Sequence, residues 1–260
     1  MEQNGPDLWR IDLPRPATHD HKYDRGHAVI MAAPDLTGAT RLAATAASRV
    51  GAGLVTVLAR DRADVYREAL PPDIMVAEGS FAALNRVTAV AGGSGGLSDR
   101  HETFLSRLPE ALAVVLDAGA VEASICEEGD RPLVLTPHEG EFARAFPELE
   151  GPRHDRAAAA AKARCGVVVL KGAETVIAAP DGRLVINRHA SPYLAKAGTG
   201  DVLTGMIVGL MAQGMKPFAA ACAAVWMHGE AGKRIGPGLV AGDIETRLPA
   251  ILAELFKATA

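Results

Sequence analysis

Lys196-Ala197-Gly198-Thr199-Gly200-Asp201-Val202-Leu203-Thr204-Gly205-Met206 is the stretch on which the reading of this chain turns. Small, flexible residues come first, then an acid, then an apolar run. Gly198 and Gly200 allow a tight turn and a close backbone approach to a ligand. From Val202 to Met211 the residues are apolar almost all round, which predicts a buried helix rather than an amphipathic one, and Gly214 marks its end. A loop of bare N–H groups that opens onto a buried helix N-terminus is an anion site. Asp201, in the first turn, stands beside any phosphate bound there. The same residues also read as a plain turn with an acidic cap, so the rest of the chain has to decide.

Working outward, apolar runs alternate with turn residues and Ala-rich helical segments. Strands are predicted at Ala28 to Met31, Leu54 to Leu58, Val87 to Ala91, Ala113 to Asp117, Pro132 to Thr136 and Val167 to Gly172. Helices are predicted at Arg41 to Val50, His101 to Leu108 and Arg153 to Arg164, then at about 201–213 and 217–232, and finally at Ile244 to Phe256. Thr175 to Ala178 and Arg183 to Ile186 flank Pro180-Asp181-Gly182, a hairpin signal. Residues 1–13 read as a short ordered tail. Strand–helix–strand order means a parallel sheet, and a hairpin late in the chain adds an antiparallel part. No repeat or linker divides residues 1–260, so one α/β domain is expected.

In such a sheet, ligands bind at the carboxyl ends of the strands. The residues that follow the strands are Gly38-Ala39, Gly92 to Gly96, Asp117, Thr136 to Glu141, Lys171-Gly172 and Gly198 to Asp201. They are expected to share one crevice suited to a ligand with several phosphates. No Walker A loop or G-x-G-x-x-G fingerprint opens the first helix. Several of these residues have a second reading. His138 serves as a ligand contact or as a helix cap, Lys171 as a site cation or a snorkelling surface lysine, and Asp117 as a site acid or a turn residue. Glu139 and Glu141 fit the first turn of a helix on dipole grounds alone. His228, in an apolar helix, reads as a hydrogen-bonded core histidine.

Composition narrows the partners. Aromatics are 4% of the chain, too few to suggest stacking platforms for single-stranded nucleic acid. A net charge of -4 offers no general attraction to DNA or RNA. The apolar stretch at 202–215 is too short and too interrupted to span a bilayer. Cys126, Cys165 and Cys222 are odd in number and far apart, so they are read as reduced. The first residues lack a signal-peptide pattern. A cytoplasmic protein is expected, with neither nucleic acid nor membrane as a partner.

Taken together and in order, Leu135-Thr136-Pro137-His138-Glu139-Gly140-Glu141, Leu170-Lys171-Gly172-Ala173-Glu174-Thr175 and Ala197-Gly198-Thr199-Gly200-Asp201 resemble the ADP/ATP-dependent NAD(P)H-hydrate dehydratases. So do Thr37-Gly38-Ala39, Gly51 to Val57, Gly93-Ser94-Gly95, Leu116-Asp117-Ala118 and His228-Gly229, and the resemblance runs from about Lys22 to Leu255. It implies a ribokinase-like fold, a three-layer sandwich with a mostly parallel central sheet. It implies repair of the hydrated cofactor NAD(P)HX to NAD(P)H, with ADP or ATP as co-substrate and Mg²⁺ on the phosphates. By the same resemblance Asp201 is the catalytic acid–base. Lys171, Gly172, Ala173, Glu174, Thr175, Gly198, Thr199 and Gly200 lie at the nucleotide, and Ala39, Gly95, His138 and Asp201 at the hydrate, with no metal ligand assigned. It further implies a homo-oligomer, a tetramer in many relatives, and an epimerase supplied by another chain, since no epimerase domain is expected within these residues. Three places depart from the family pattern: Ala32-Ala33-Pro34 for Gly-Gly-Ser, Ser94 and Leu97 within Gly-Pro-Gly-x-Gly, and Gly119 for the second acid of Asp-Ala-Asp. Alternatives are a small-molecule kinase of the same superfamily acting on a vitamin-precursor alcohol, and a nucleotide-binding protein without activity.

Overall fold

Strands buried on both faces read as unbroken apolar runs, and alternate residues leave them in opposite directions. In the computed structural model of this chain, described over residues 1–96, 108–123 and 131–257, that alternation builds two cores. Ala28, Ile30, Val55, Val57, Ala89, Ala91, Val115, Val134 and Val169 point to one side of the sheet. Val29, Met31, Leu58, Val90, Val114, Leu116, Leu135, Val168 and Leu170 point to the other.

The strands are β1 (Glu2–Gln3), β2 (His27–Met31), β3 (Leu54–Leu58), β4 (Met75–Ala77), β5 (Ala89–Gly92), β6 (Ala113–Leu116), β7 (Leu133–Leu135), β8 (Val167–Leu170), β9 (Thr175–Ala178) and β10 (Leu184–Asn187). They form one sheet in the order β1-β10-β9-β8-β7-β6-β5-β2-β3-β4. Every neighbouring pair is parallel except the two made by β9, which runs antiparallel to both β8 and β10. Helices α1 (Thr37–Arg49), α6 (Thr199–Ala212), α7 (Pro217–Ile235) and α8 (Ala241–Lys257) cover the first face. On the second lie α3 (Gly119–Glu122), α4 (Glu139–Ala145) and α5 (Arg153–Ala163). The expected three-layer, mostly parallel sandwich is what the chain forms.

The helix after the glycine-rich loop is buried as its composition demands, with every residue from Val202 to Ala212 enclosed. It packs directly on α1. A Cβ at Gly205 would stand 2.1 Å from the Ala43 carbonyl oxygen, so only glycine lets the two backbones approach this closely.

The sequence understated some elements. Its tail is part of the core: Trp9 is fully buried, and β1 adds a short parallel strand at the edge. Helix α2 (Ala63–Ala69), of seven residues, and edge strand β4, of three, are too short to signal themselves. The cysteine reading needs correction. Cys165 is disulfide-bonded and Cys222 is free and buried, so the three are not all reduced. The cytoplasmic expectation loses that support. Among the described residues no helix is long and apolar enough to cross a membrane. Of the helix expected at His101 to Leu108, residues 101–107 lie outside the described residues, as do Leu97 and Cys126.

Candidate functional site

Because β2, β5, β6, β7 and β8 run parallel, the loops leaving their carboxyl ends meet at one edge. Asp117 follows β6 and is only 4% exposed. Buried carboxylates need partners, and Asp117 has three. Lys171 Nζ donates to Oδ1 at 2.8 Å, as does the Thr136 hydroxyl at 2.8 Å, and the Ser94 hydroxyl donates to Oδ2 at 3.2 Å. Lys171 Nζ also lies 3.8 Å from Glu141 Oε2. Burial works to lower the Lys171 pKa, but the carboxylates of Asp117, Glu141 and Asp201 outweigh it and hold the ammonium above its ordinary value. The surface readings of Lys171 and Asp117 therefore give way to a buried ion pair.

The glycine-rich loop arrives at this pair from α6. Gly198, at φ +90°, forms the helix N-cap, a conformation that glycine adopts without strain. A Cβ on Gly200 would sit 3.3 Å from Lys171 Nζ, so the first turn of α6 stands directly against the ammonium. The Thr199 hydroxyl turns back to the carbonyls of Leu194 and Lys196, at 2.8 and 2.9 Å, and holds the loop. The Thr199 N–H faces the Lys196 carbonyl at 3.4 Å. The Thr199 carbonyl accepts a hydrogen bond of 2.9 Å from His228 Nε2. Burial is the main reason that the His228 pKa falls to about 4, so this imidazole is neutral and structural, in keeping with its sequence reading.

Asp201 is the acid whose proton affinity is set most clearly by the site. Burial raises its pKa to about 6, with Asp117 and Glu141 acting in the same direction, while the Ser94 hydroxyl and Lys171 oppose them. A carboxyl tuned toward neutrality in a crevice is what proton transfer at ordinary pH requires.

His138 caps α4. Its Nδ1 accepts from the N–H groups of Gly140 and Glu141, at 2.9 and 3.1 Å, while Glu141 Oε2 accepts from the His138 N–H at 2.7 Å. This is a capping box with histidine in the place of the usual hydroxyl. Nε2 faces Glu141 Oε1 at 3.2 Å, and the side chain remains 56% exposed. The cap reading holds, and the ring is still open to a ligand on its exposed side. His138 and Lys171 form an isolated parallel bridge, so their loops are joined through the backbone.

Ala39 and Gly95 also come together, since a Cβ on Gly95 would lie 2.9 Å from Ala39 Cβ. Ser94, one residue before Gly95, links this corner to Asp117. Gly172, Ala173 and Glu174 lie exposed on the loop between β8 and β9. The expected residues thus gather along one edge. Reading the sequence assigned no role to the Ser94 side chain, noted only within the glycine-rich loop and as a lost proline, or to Arg153, whose guanidinium reaches from α5 to the 171–175 loop. A lone arginine at a helix start carries no signal of that reach.

The loops converge on a buried helix N-terminus at the edge of this sheet, and the fold is ribokinase-like: a ribokinase-like superfamily protein of Enterococcus faecalis superposes with a TM-score of 0.86 at 22% identity, over 98% of this chain and 96% of that one. A family model described as NAD(P)H-hydrate dehydratase matches residues 28–251. The chain belongs to that family. A bifunctional NAD(P)H-hydrate repair enzyme of Moorella thermoacetica is 38% identical over 95% of this chain and 53% of its own length. The ADP-dependent (S)-NAD(P)H-hydrate dehydratase of Xanthomonas campestris is 35% identical, over 93% of each chain. The structure of the Bacillus subtilis ADP/ATP-dependent NAD(P)H-hydrate dehydratase, co-crystallized with ATP/Mg²⁺, superposes with a TM-score of 0.87 at 30% identity over 98% of each chain. The chain spans about half the length of the bifunctional relatives it matches.

Proposed function

We propose that residues 1–260 form a single dehydratase domain that returns NAD(P)HX to NAD(P)H at the expense of ADP or ATP. The observation that carries this reading is Asp201: a carboxyl with a pKa of about 6, in the first turn of α6 and beside the Lys171 ammonium. In the proposed reaction the hydrate hydroxyl attacks the terminal phosphorus of the nucleotide and gives its proton to Asp201. The bond from that phosphorus to the bridging oxygen breaks, and the shortened nucleotide leaves. The carbon–oxygen bond to the new phosphate ester then breaks, phosphate departs, and loss of a neighbouring ring proton restores the double bond.

The first-turn N–H groups of Gly200 and Asp201, with the helix dipole behind them, face the transferring phosphoryl group, where fixed donors are most effective. The Thr199 side chain and Gly198 keep that turn in shape. Lys171 to Thr175 border the nucleotide, and Ala39, Gly95 and the exposed side of His138 border the hydrate. Mg²⁺ supplies charge neutralisation when the nucleotide binds. Asp117 and Glu141 already face Lys171, and among the described residues no group of three or more His, Cys, Asp or Glu side chains is arranged to hold a metal ion. A homo-oligomer, tetrameric as the resemblance implies, a cytoplasmic setting where the cofactors are used, and a separate epimerase complete the proposal.

The test supplies purified NADHX and, separately, NADPHX with Mg²⁺ and either ADP or ATP, and follows the return of the reduced-nicotinamide absorbance. Recovery with one nucleotide establishes the reaction and names the donor. Folded protein that binds nucleotide yet restores no absorbance overturns the proposal, and a persistent phosphorylated alcohol in its place indicates a kinase.

A further inference from the structure

The loop at 171–175 is tied at its ends by its own side chains, Lys171 to Asp117 at 2.8 Å, Glu174 Oε1 accepting from Arg188 Nε at 2.7 Å and the Thr175 hydroxyl donating to the Gly172 carbonyl at 3.3 Å, while its backbone carbonyls depend on a residue from outside it. It is held from beneath by Arg153, the first residue of α5. Nη1 donates to the Glu174 carbonyl at 2.6 Å, and Nη2 to the carbonyls of Leu170 and Lys171 at 3.2 and 3.0 Å. Nε donates to Glu139 Oε1 at 2.6 Å. None of these acceptors belongs to α5. A Cβ on Gly172 would stand 2.6 Å from Nη2 and 2.8 Å from Nη1, so the loop folds around the guanidinium at its one residue without a side chain. A planar fork with five donors can satisfy acceptors on several sides at once, whereas an ammonium, a point charge on a flexible stem, cannot hold that pattern. Glu139 stands next to His138, whose loop is bridged to Lys171, so the same side chain ties these two neighbouring loops together.

We infer that Arg153 is a positioning residue for nucleotide binding: it fixes the 171–175 loop in its ligand-ready shape and anchors it to α4 through Glu139. The inference rests on the reading that this loop borders the nucleotide. Arg153 touches no reacting atom, so its loss weakens nucleotide binding and spares the chemical step. Ordering the loop then falls to the ligand, which lowers affinity.

The test measures Mg-ADP and Mg-ATP binding by calorimetry, together with KM and kcat, for the wild type, Arg153→Lys, Arg153→Ala and Glu139→Gln. Thermal unfolding selects variants that remain folded. For Arg153→Ala, Kd and KM for the nucleotide rise about tenfold or more, as expected when charged hydrogen bonds that hold a binding loop are lost, while kcat at saturating nucleotide stays within about threefold. Arg153→Lys falls short of full rescue, and Glu139→Gln, which keeps the three carbonyl bonds, shows a smaller rise. Wild-type affinity in folded Arg153→Lys and Arg153→Ala overturns the inference, as does a fall in kcat with KM unchanged. If the wild type binds no nucleotide, the reading of the loop and the inference fall together. If it binds nucleotide without restoring NAD(P)H, only the dehydratase reading falls, and the binding constants still decide the role of Arg153.

Discussion

Asp201→Asn separates activity from stability. The Asp201 pKa is raised from 3.8 to about 6, chiefly by burial and by the neighbouring Asp117. Between those values the native state keeps a proton that the unfolded chain has released, so stability falls as pH rises through the window, and the whole penalty is present above about pH 6. A shift of roughly two units, at about 1.4 kcal/mol each, sets an upper limit near ~3 kcal/mol. Partial solvation reduces this, and about 1–3 kcal/mol is expected. Asparagine keeps the size and carries no charge. Urea unfolding, followed through the buried Trp9, should therefore show Asp201→Asn more stable than wild type by that amount at neutral pH. The gap should narrow as pH falls from about 6 and close below about 4. Turnover should fall at least about 100-fold, as for loss of a positioned general base. A variant that is less stable at neutral pH, or a gap that does not vary with pH, refutes the burial argument. Turnover within tenfold of wild type refutes the assignment of the base.

The remaining predictions draw on other parts of the molecule. A base with a pKa of about 6 gives kcat/KM an acid limb near that pH, since the active form is deprotonated; Asp117→Asn removes a neighbouring negative charge and frees Lys171, so the limb should move down by about 0.5–1 unit in a pH–rate profile. Glu245 on α8 has a buried Oε2 with no hydrogen-bond partner among the described residues, and burial raises its pKa to about 7 against the pull of Arg49. Glu245→Gln should gain about 1–3 kcal/mol at pH 8, with the gain vanishing below about pH 4.5 in denaturant titrations. Gly205→Ala would set a methyl 2.1 Å from the Ala43 carbonyl oxygen and should cost about 2–3 kcal/mol as α1 and α6 are forced apart, read as a lower urea midpoint.

Most of the sandwich could be read from the chain because fully buried parallel strands leave a strong local trace. Val167-Val168-Val169-Leu170 and Leu54 to Leu58 are apolar at every position or nearly so, and each is bounded by glycine or a polar turn. What escaped lacks such a trace. Helix α2 buries only Ala63 and Tyr66. Strand β1 is two residues long and gains its place from Asn4, whose side chain bonds Asn187 at 3.0 Å and the Cys222 carbonyl at 2.8 Å. Those partners lie at the other end of the chain, and no local pattern announces them.

The site divides along the same line, between chemistry that is local and geometry that is not. Gly198 to Asp201 declare an anion-binding turn within four residues, because backbone freedom, bare N–H groups and an acid are all present there. Lys171 and Asp117 are separated by 54 residues, and their pairing depends on strand order: β6 and β8 flank β7 and, being parallel in register with it, release their next residues at the same level of the same edge. Once that order is fixed, the ammonium and the carboxylate have to share the crevice, since each would be costly to bury alone. The pairing in turn determines what Lys171 can offer a nucleotide. A lysine on a mobile loop would meet phosphate as a free charge, whereas one held at 2.8 Å from Asp117 presents a fixed donor that has already paid its ordering entropy. On the proposed reading the first turn of α6 therefore carries most of the contact with the moving phosphoryl group, and Lys171 holds that turn and Asp117 in register.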